Sequence, residues 1–374
     1  MGSKSKSGGI FGGILAGIIL IIIGVVLLWW NEGRTVKVQK GINEAKDVYT
    51  QIKSDKVDSK YDGKLVSTNG KLDLSDAEEL VDQDFGIKVK SALMERNVEM
   101  YQWTETCETD DNDNEKCSYK KEWVDHLVDS SNFKESSKHS NPSSMPYESE
   151  EFVAENVKMG AFTLPKDLLE KLSTKKDKTN AELTEEAKEV EGYAIVNKYI
   201  TNVEEDNPVI GNVRVSFSYN DADSVSVLAV QTGDSFAKYT TKSGTSVYRI
   251  KEGTHTGEEI IQDMTDENKT IKWLLRLVGL LLEIFGFASI FSPIKKLAGF
   301  IPFLGGLVSM ATGLIALLLG SSVTLVVIAV AWLRFRPILS IVLLAIVGVL
   351  IFLLIKFKKK EPETSVTNEV TENN

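Results

Sequence analysis

The stretch IFGGILAGIILIIIGVVLLWW, residues 10–30, contains no charged side chain and decides the fold class. As an α-helix it would be about 30 Å long at ~1.5 Å per residue, enough to cross the hydrocarbon core of a bilayer. The apolar core of a signal peptide is shorter, roughly 7–15 residues, and precedes a small-residue cleavage site that is missing here. Trp29 and Trp30 are typical of an interfacial aromatic belt. The stretch therefore predicts a membrane anchor that stays in the protein.

Further apolar runs lie near the other end of the chain. The first of them begins at Trp273, and Pro293 and Pro302 are expected to break the helix after it. The predicted organisation is a cytoplasmic N-terminus (1–9), a first span (10–30), an extracytoplasmic or luminal β-rich domain (31–272), a second span (273–292), a cytoplasmic or interfacial segment (293–306), a third span (307–333), a fourth span (338–357) and a cytoplasmic tail (358–374). A fifth span is the alternative if residues 300–319 cross the membrane alone.

Charge separates the middle of the chain from its ends. Residues 31–272 carry 48 Asp and Glu against 32 Lys and Arg, a net charge of −16, whereas all other residues carry 5 against 11. Lysines that flank the spans on the predicted cytoplasmic side agree with the positive-inside rule, namely Lys4, Lys6, Lys295, Lys296, Lys356, Lys358, Lys359 and Lys360. Four cations oppose it, namely Arg34, Lys37, Arg334 and Arg336. Because nucleic acid binds basic surfaces, the acidic middle argues against nucleic acid as a partner.

Several short runs between residues 31 and 272 alternate apolar and polar side chains, which is typical of strands. Strands are predicted at 97–105, 212–220, 224–232 and 245–250, with residues 220–223 as a hairpin connection. Short helices are predicted at 75–82, 165–172, 179–190 and 254–264. The predicted fold class is a multi-pass α-helical membrane protein with four membrane helices, one N-terminal and three C-terminal, and a large β-rich α+β domain outside the cytoplasm.

Cys107 and Cys117 are the two cysteines of the chain, and they bracket the acidic run ETDDNDNEK. In an oxidising compartment we expect them to face each other across a hairpin and form a disulfide, with two free thiols as the alternative. Two cysteines do not make a zinc site, and the acidic run lacks the glycine and distal glutamate of an EF-hand loop. No metal and no cofactor are therefore predicted.

Glu283 lies ten residues past Trp273, near the middle of the bilayer, where an ionisable group is costly and indicates function. Arg276, seven residues earlier, lies on the same helical face, so that the two could form a proton or ion pathway. The alternative is a glutamate that is protonated or bonded to a hydroxyl group of a neighbouring span, namely Ser321, Ser322 or Thr324.

Small residues recur at helical spacing in two of the predicted spans. They are Gly9 directly before the first span, Gly13, Gly17 and Gly24 within it, and Gly313 and Gly320 in the third. Small residues let helix backbones approach closely in lipid, so we expect the two rows to pack within one chain or between chains. The chain is accordingly expected to form a homo-oligomer.

The sequence contains no HExxH, GxSxG or P-loop motif. Its histidines are His126, His139 and His255, and His139 lies in a serine-rich loop. A hydrolase site around His139 is an alternative, but no catalytic residue is predicted and the chain is expected not to be an enzyme.

A series of motifs runs through the chain from about residue 25 to residue 340. They are NEGR (31–34), VEMYQW (98–103), Trp123, SNF (131–133), the loop His139-x-Asn141-Pro142-Ser143-x-Met145, GNVRVSFSY (211–219), TKSG (241–244), Trp273-x-x-Arg276-x-x-Gly279, and Trp332-Leu333 before Arg336-Pro337. In this order they resemble the transmembrane protein 43 (LUMA) family. Glu283 departs from the family pattern, in which an apolar residue is expected.

The resemblance implies four spans, cytoplasmic termini and a large luminal or extracytoplasmic loop. For animal members it implies residence in the endoplasmic reticulum and nuclear inner membrane, self-association, and organisation of the nuclear envelope with lamins and emerin. It implies no catalytic residue.

The expected function is that of a non-enzymatic integral membrane protein that organises membrane structure or membrane-protein assemblies. Its expected partners are the lipid bilayer, further copies of the chain and other membrane proteins, with lamin- and emerin-like partners only in a eukaryote. Its expected location is the endoplasmic reticulum or inner nuclear membrane in a eukaryote and the cell membrane in a prokaryote. A small-solute or ion conduit that uses Glu283 and an outer-domain hydrolase are the alternatives.

Overall fold

The computed structural model describes residues 7–109, 115–204, 207–298, 304–338 and 340–342. The chain divides into two compact units, which are described separately. The membrane unit comprises Met1–Val36 and Ile271–Asn374, as far as these residues are described, and the sheet domain comprises Lys37–Thr270.

The helices are α1 (Ser7–Val48), α2 (Lys166–Leu169), α3 (Asn180–Glu186), α4 (Gly257–Ala298) and α5 (Leu304–Phe335). In the described ranges, three helices are long and apolar enough to cross a membrane, over Gly12–Val48, Gly257–Pro293 and Met310–Phe335. The predicted first, second and third spans lie inside α1, α4 and α5. The predicted fourth span, 338–357, falls almost wholly outside the described residues.

Large apolar side chains cover the outside of the helices in the membrane unit. Leu15, Ile22, Val26, Leu314 and Leu325 are each more than half exposed. An apolar surface of this extent is suited to contact with lipid tails and not with water. This agrees with the apolar runs from which the spans were predicted.

The predicted helix break at Pro293 is wrong, because α4 continues through Pro293 to Ala298. Proline has no N–H, so the carbonyl of Ser289, four residues earlier, receives no hydrogen bond from it. That carbonyl faces Gly13 on α1, where a Cβ would lie 3.8 Å from the carbonyl oxygen. Membrane helices tolerate an internal proline where neighbouring helices accommodate the freed backbone group.

The strands are β1 (Thr50–Gln51), β2 (Leu65–Asp73), β3 (Leu80–Val81), β4 (Lys88–Val89), β5 (Leu93–Thr109), β6 (Glu115–Val124), β7 (Glu150–Val153), β8 (Lys158–Met159), β9 (Phe162–Thr163), β10 (Lys176–Asp177), β11 (Ala194–Val196), β12 (Tyr199–Thr201), β13 (Val213–Tyr219), β14 (Ser224–Thr232), β15 (Ser235–Ala237), β16 (Tyr239–Thr240), β17 (Ser246–Val247) and β18 (Arg249–Glu252). The first large sheet has the order β15-β14-β2-β8-β9, with β1 beside β2 and β18 beside β14. The second has the order β11-β12-β13-β5-β6, with β10 beside β13 and β7 beside β5. The pairs β16–β17 and β3–β4 form two small sheets.

Both large sheets contribute to one hydrophobic core. Val225 and Val227 on β14 pack in the same buried cluster as Val98 on β5 and Phe217 on β13. Alternate residues of a strand point to opposite faces, so Leu228 on β14 belongs to a different cluster on the other face of its sheet.

In that second cluster, helix residues cover the outer face of the first sheet. Ile42 from the end of α1, and Ile260 and Met264 from the start of α4, pack there with Leu65 and Leu228. The first sheet is therefore buried on both faces, which agrees with the burial of every β14 residue from Val225 to Ala229.

The predicted helix at 75–82 is wrong. The carboxylate of Asp73 accepts a hydrogen bond from the N–H of Ser75 at 2.9 Å, and β3 pairs with β4 in this region. Ala77 and Leu80 are buried in the core. Burial and strand pairing outweigh the local capping signal of the sequence.

The connection 220–223 is not a hairpin. β13 pairs with β5 and β12 in the second sheet, whereas β14 pairs with β2, β15 and β18 in the first. The chain crosses between the sheets at Asn220, whose N–H donates to the carbonyl of Leu93 at 2.9 Å and whose side chain donates to that of Ser173 at 2.8 Å.

The remaining sequence-based elements are confirmed with changed bounds. The strands 97–105, 212–220 and 224–232 correspond to β5, β13 and β14, and 245–250 is divided between β17 and β18. The other predicted helices are α2, α3 and the start of α4. α3 has a reciprocal capping box between Thr179 and Glu182, and the N–H of Thr256 donates to Glu259 at 2.7 Å where α4 begins.

Candidate functional site: a buried glutamate between three membrane helices

A fully buried carboxylate, that of Glu32, lies where α1, α4 and α5 meet. Glu32 follows the apolar run of α1, Arg276 lies near the start of the apolar part of α4, and Trp332 lies near the end of α5. Gly17 contacts Gly286, and Glu32 contacts Arg276, so α1 and α4 run in opposite directions. This arrangement brings the polar end of each apolar run to the same place.

The two oxygens of Glu32 bind two different helices. Oε1 accepts a hydrogen bond from Nε of Arg276 at 2.7 Å. Nη2 of Arg276 lies 2.6 Å from the same oxygen, without the alignment of a hydrogen bond. Oε2 accepts a hydrogen bond from the indole N–H of Trp332 at 2.9 Å. Glu32 thus joins α1 to α4 by a charge pair and α1 to α5 by a hydrogen bond.

Two aromatic rings enclose the guanidinium of Arg276. It lies 4.9 Å from the ring centre of Trp273 and 5.8 Å from that of Trp332. The face of an aromatic ring attracts a cation at these distances. Arg276 is therefore stabilised by one carboxylate and by two rings, one of which also binds the same carboxylate.

The motif NEGR (31–34) makes further contacts between helices. The side chain of Asn31 donates to the carbonyl of Lys272 on α4 at 3.0 Å and accepts from Arg34 at 3.4 Å. A Cβ on Gly33 would lie 2.9 Å from the ring of Phe335 on α5, so glycine is needed for the ring to fit. Asn31, Glu32 and Gly33 of the motif thus contact neighbouring helices, whereas the hydrogen bonds of Arg34 stay within α1.

The geometry around Glu32 favours a fixed contact over chemistry at the carboxylate. Both oxygens are occupied and the side chain is fully buried. The desolvation cost of a buried charge pair offsets much of its Coulomb attraction, so such a pair contributes little net stability. Removal of one partner, in contrast, leaves an uncompensated buried charge and is strongly destabilising.

Arg276 and Glu283 share a face of α4, but Arg276 is bound to Glu32. Glu283 is fully buried on α4, and neither of its carboxyl oxygens has a hydrogen-bond partner in the described part of the chain. Arg276 is therefore not available as the second residue of the proton or ion pathway inferred from its spacing to Glu283.

The hydroxyl groups of α5 do not bond Glu283 either. Ser322 donates to the carbonyl of Leu318 in its own helix at 2.7 Å. Thr324 is buried, and its hydroxyl has no partner among the residues described. Ser321 is half-buried and makes no bond to Glu283.

In the described part of the chain, the nearest neighbours of the predicted row of small residues in α1 lie on α4. A Cβ on Gly17 would lie 2.5 Å from the carbonyl oxygen of Gly286, and one on Gly286 would lie 2.9 Å from that of Gly17. Gly24 faces Glu283, and Gly13 faces Ser292. Two helix backbones thus touch at Gly17 and Gly286.

Of the two glycines in the α5 row, only Gly320 contacts another helix in the described part of the chain. A Cβ on Gly320 would lie 2.8 Å from the backbone nitrogen of Ile284 on α4. Gly313 has no described atom within 4 Å of a Cβ, so its packing role stays a prediction. The surroundings of Gly9 lie outside the described residues.

A second polar cluster lies on the sheet domain around Arg214 of β13. Its Nε donates to Glu99 at 2.6 Å, and its guanidinium lies 4.5 Å from the ring centre of Trp123 and 4.7 Å from that of Tyr199. Trp123, Tyr199, Arg214 and Pro208 help to line a cavity of about 280 Å³. We call Glu99, Trp123, Tyr199, Pro208 and Arg214 the aromatic–arginine surface.

The loop that carries His139 is fixed against the β5–β6 hairpin. The His139 ring stacks on Tyr119 with ring centres 3.7 Å apart and meets Trp103 edge-on at 4.5 Å. Its Nδ1 lies 3.3 Å from the carbonyl of Glu135, and within the described ranges no hydroxyl or carboxylate bonds this ring. Asn141 binds the N–H of Trp103 at 2.8 Å and its carbonyl at 2.9 Å. These contacts hold the loop in place against the β5–β6 hairpin.

Cys107 and Cys117 lie directly opposite each other on β5 and β6 and are joined by a disulfide. The carboxylate of Glu105 lies close to both sulfurs, but sulfurs bonded to each other are not the thiolates that bind metals. Tyr119 donates to Glu105 at 2.6 Å, and desolvation followed by this hydrogen bond raises the pKa of the Tyr119 hydroxyl. Asp110, Asp111 and Asp113 of the acidic run lie outside the described residues.

Sequence reasoning missed Glu32 and Trp332 as partners of Arg276. A signal for them was present, because all three residues lie where an apolar run meets polar sequence. Spans that alternate in direction bring the end of the first, the start of the second and the end of the third to one boundary. A buried arginine at that boundary requires a carboxylate, and Glu32 is the acidic residue that follows the first span.

Comparison with known proteins agrees with the motifs. The family model of Transmembrane protein 43 matches residues 100–337. Transmembrane protein 43 of Rattus norvegicus is 30% identical over 360 residues, which cover 91% of this chain and 89% of the rat protein. The Drosophila melanogaster homologue of Transmembrane protein 43 is 29% identical over 347 residues, which cover 88% of this chain and 90% of the fly protein. No solved structure matches the chain. The family predicted from the motifs is confirmed, and the chain belongs to the transmembrane protein 43 family.

Proposed function

We propose that the chain is a membrane-anchored scaffold that organises membrane structure or membrane-protein assemblies, with the sheet domain as its interaction surface. The observation that carries this proposal is the aromatic–arginine surface. Trp, Tyr and Arg are the residues that contribute most to binding in protein interfaces. Here one of each lies around a single cavity.

The side chains of this surface are held in fixed positions, which supports a role in binding. Arg214 is fixed by Glu99 and by two rings, so a partner would meet side chains that have already lost much of their freedom. Preorganisation of this kind reduces the entropy cost of association. Val209, next to Pro208, is 58% exposed and adds apolar area at the rim.

We further propose that the sheet domain lies on the side of the membrane away from the cytoplasm and that both termini are cytoplasmic. The lysines around the predicted spans and the acidic composition of residues 31–272 support this orientation. In a eukaryotic cell the setting would be the endoplasmic reticulum and inner nuclear membrane, with self-association and lamin- or emerin-containing complexes. In a prokaryote it would be the cell membrane.

Site-specific photo-cross-linking in native membranes tests the interaction surface. A photoreactive amino acid at Val209 should form protein adducts, whereas one at Lys60, which is exposed on a turn elsewhere in the sheet domain, should not. Trp123→Ala should reduce the adducts at position 209. Equal adducts at both positions, or adducts unaffected by Trp123→Ala, would contradict the proposal.

A further inference from the structure

Glu283 is a buried ionisable side chain that neither the contacts of Glu32 nor the aromatic–arginine surface uses. It is fully buried, and both of its carboxyl oxygens lack hydrogen-bond partners among the residues described. A Cβ on Gly24 would lie 2.8 Å from Oε1 of Glu283 and 3.3 Å from the carbonyl oxygen of Gly279. The carboxyl group therefore packs against the backbone of α1, inside the helix bundle.

Among the described residues, the elements packed against this part of α4 present no charge to Glu283. Gly24 and Leu28 of α1 lie against this part of α4, as does Gly320 of α5, one turn before the buried Thr324. None of these residues titrates, and the hydroxyl of Thr324 has no described partner.

The nearest charges are already paired or far along the helix. Arg276 is seven residues away, about 10 Å at ~1.5 Å per residue, and is bound to Glu32. Lys295 lies twelve residues beyond Glu283 in the sequence. Residues 299–303 and 343–355, which are not described, contain no charged, amide or hydroxyl side chain. No counter-charge is therefore available from the apolar part of the chain.

An isolated carboxylate in such surroundings is strongly disfavoured, because removing an unpaired charge from water costs more than protonating it. The neutral acid needs only an acceptor for its O–H. The carbonyl of Gly279, one turn earlier on α4, faces the same point of α1 as the carboxyl group does. We propose that Glu283 is a proton-binding site inside the membrane, at which the carboxyl group is held as the neutral acid at physiological pH.

The proton has a structural consequence at this site. Its loss would place an unpaired negative charge at Gly24, where α1 and α4 are in contact. The charge would require water or a cation beside it. Helix packing at Gly24 is therefore linked to protonation of Glu283.

Infrared spectroscopy of the full-length protein in lipid tests the protonation state. At neutral pH we expect a carboxylic-acid C=O stretching band, although carboxyl groups in water, with an ordinary glutamate pKa of about 4.3, are ionised there. The band should be missing in Glu283→Gln and retained in Glu32→Gln, whose carboxylate is paired. Absence of the band from the wild type, or its survival in Glu283→Gln, would overturn the proposal.

Thermal unfolding gives a second readout. Glutamine has nearly the shape of the neutral acid, so Glu283→Gln should keep the melting temperature of the wild type, whereas Glu32→Gln should lower it. A marked loss of stability in Glu283→Gln would show that the charge is needed and would refute the neutral acid. The neutral acid would also be refuted if the wild type melted at a higher temperature in sodium chloride than in choline chloride and Glu283→Gln did not. The site would then hold a cation.

Discussion

Replacement of Glu32 by glutamine tests the buried cluster of the membrane unit. Glutamine keeps the size of the side chain, and its amide oxygen can still accept the hydrogen bond from Trp332. It removes the negative charge that Arg276 faces at 2.7 Å. A guanidinium cannot lose its proton in a protein, so Arg276 is left as an unpaired buried cation.

The expected loss of stability follows from the surroundings of Arg276. Removal of one partner of a buried pair costs about 3–5 kcal/mol. The side chain of Arg276 is 11% exposed and keeps two aromatic rings, so we expect the lower end, about 3 kcal/mol. Trp332→Phe removes one hydrogen bond to a charged acceptor, about 1.5–3 kcal/mol. Arg276→Met in the Glu32→Gln background removes the unpaired charge and should recover most of the loss.

The assay is denaturant or thermal unfolding of the full-length protein in detergent. Glu32→Gln should be the least stable variant, and the double variant Glu32→Gln/Arg276→Met should be more stable than Glu32→Gln alone. The reasoning is refuted if Glu32→Gln is as stable as the wild type. It is also refuted if the effects of the two substitutions simply add, because residues in contact should show a coupling free energy.

Further predictions concern helix packing, the disulfide and acid stability. Gly17→Leu should destabilise the helix bundle by about 1–3 kcal/mol, since a Cβ there would lie 2.5 Å from a carbonyl oxygen, whereas the control Gly313→Leu meets no described atom; equal melting temperatures would contradict this. Without reductant, the intact mass should be about two hydrogens lower than after reduction if Cys107 and Cys117 are bridged, and equal masses would show free thiols. The pKa of the Glu182 carboxyl is lowered, first by the backbone N–H of Thr179 and then by the Thr179 hydroxyl, both of which donate hydrogen bonds to it. The stability that the ionised Glu182 carboxyl contributes is fully present above its unfolded pKa of about 4.3 and is lost as pH falls through the lower folded pKa. Acid should therefore reduce the difference in unfolding free energy by which the wild type exceeds Glu182→Gln. An advantage that is unchanged at low pH would contradict this assignment.

The sequence was sufficient for elements but not for their pairing. Apolar runs without charge locate the membrane helices, and alternation locates β5, β13 and β14. Alternation tells which side chains share a face of a strand but not which sheet the strand joins. For this reason residues 220–223 were expected to form a hairpin, although β13 and β14 belong to different sheets.

The candidate site shows the same limit. Helical spacing placed Arg276 and Glu283 on one face of α4, and the suggested proton or ion pathway followed from that spacing. The observed partner of Arg276 is Glu32, which is 244 positions away in the sequence. Spacing constrains residues within one helix, whereas partners on different helices depend on packing. The reciprocal contact of Gly17 with Gly286 shows the same dependence.

The orientation of the sheet domain decides which partners its aromatic–arginine surface can meet, and it is the central claim about function. A cysteine-free variant should be given single cysteines by Ser59→Cys, at an exposed position of the sheet domain, or by Ser365→Cys in the tail. In sealed membranes of known sidedness, an impermeant maleimide should label position 59 only from the side away from the cytoplasm and position 365 only from the cytoplasmic side. Labelling of position 59 from the cytoplasmic side would contradict the account.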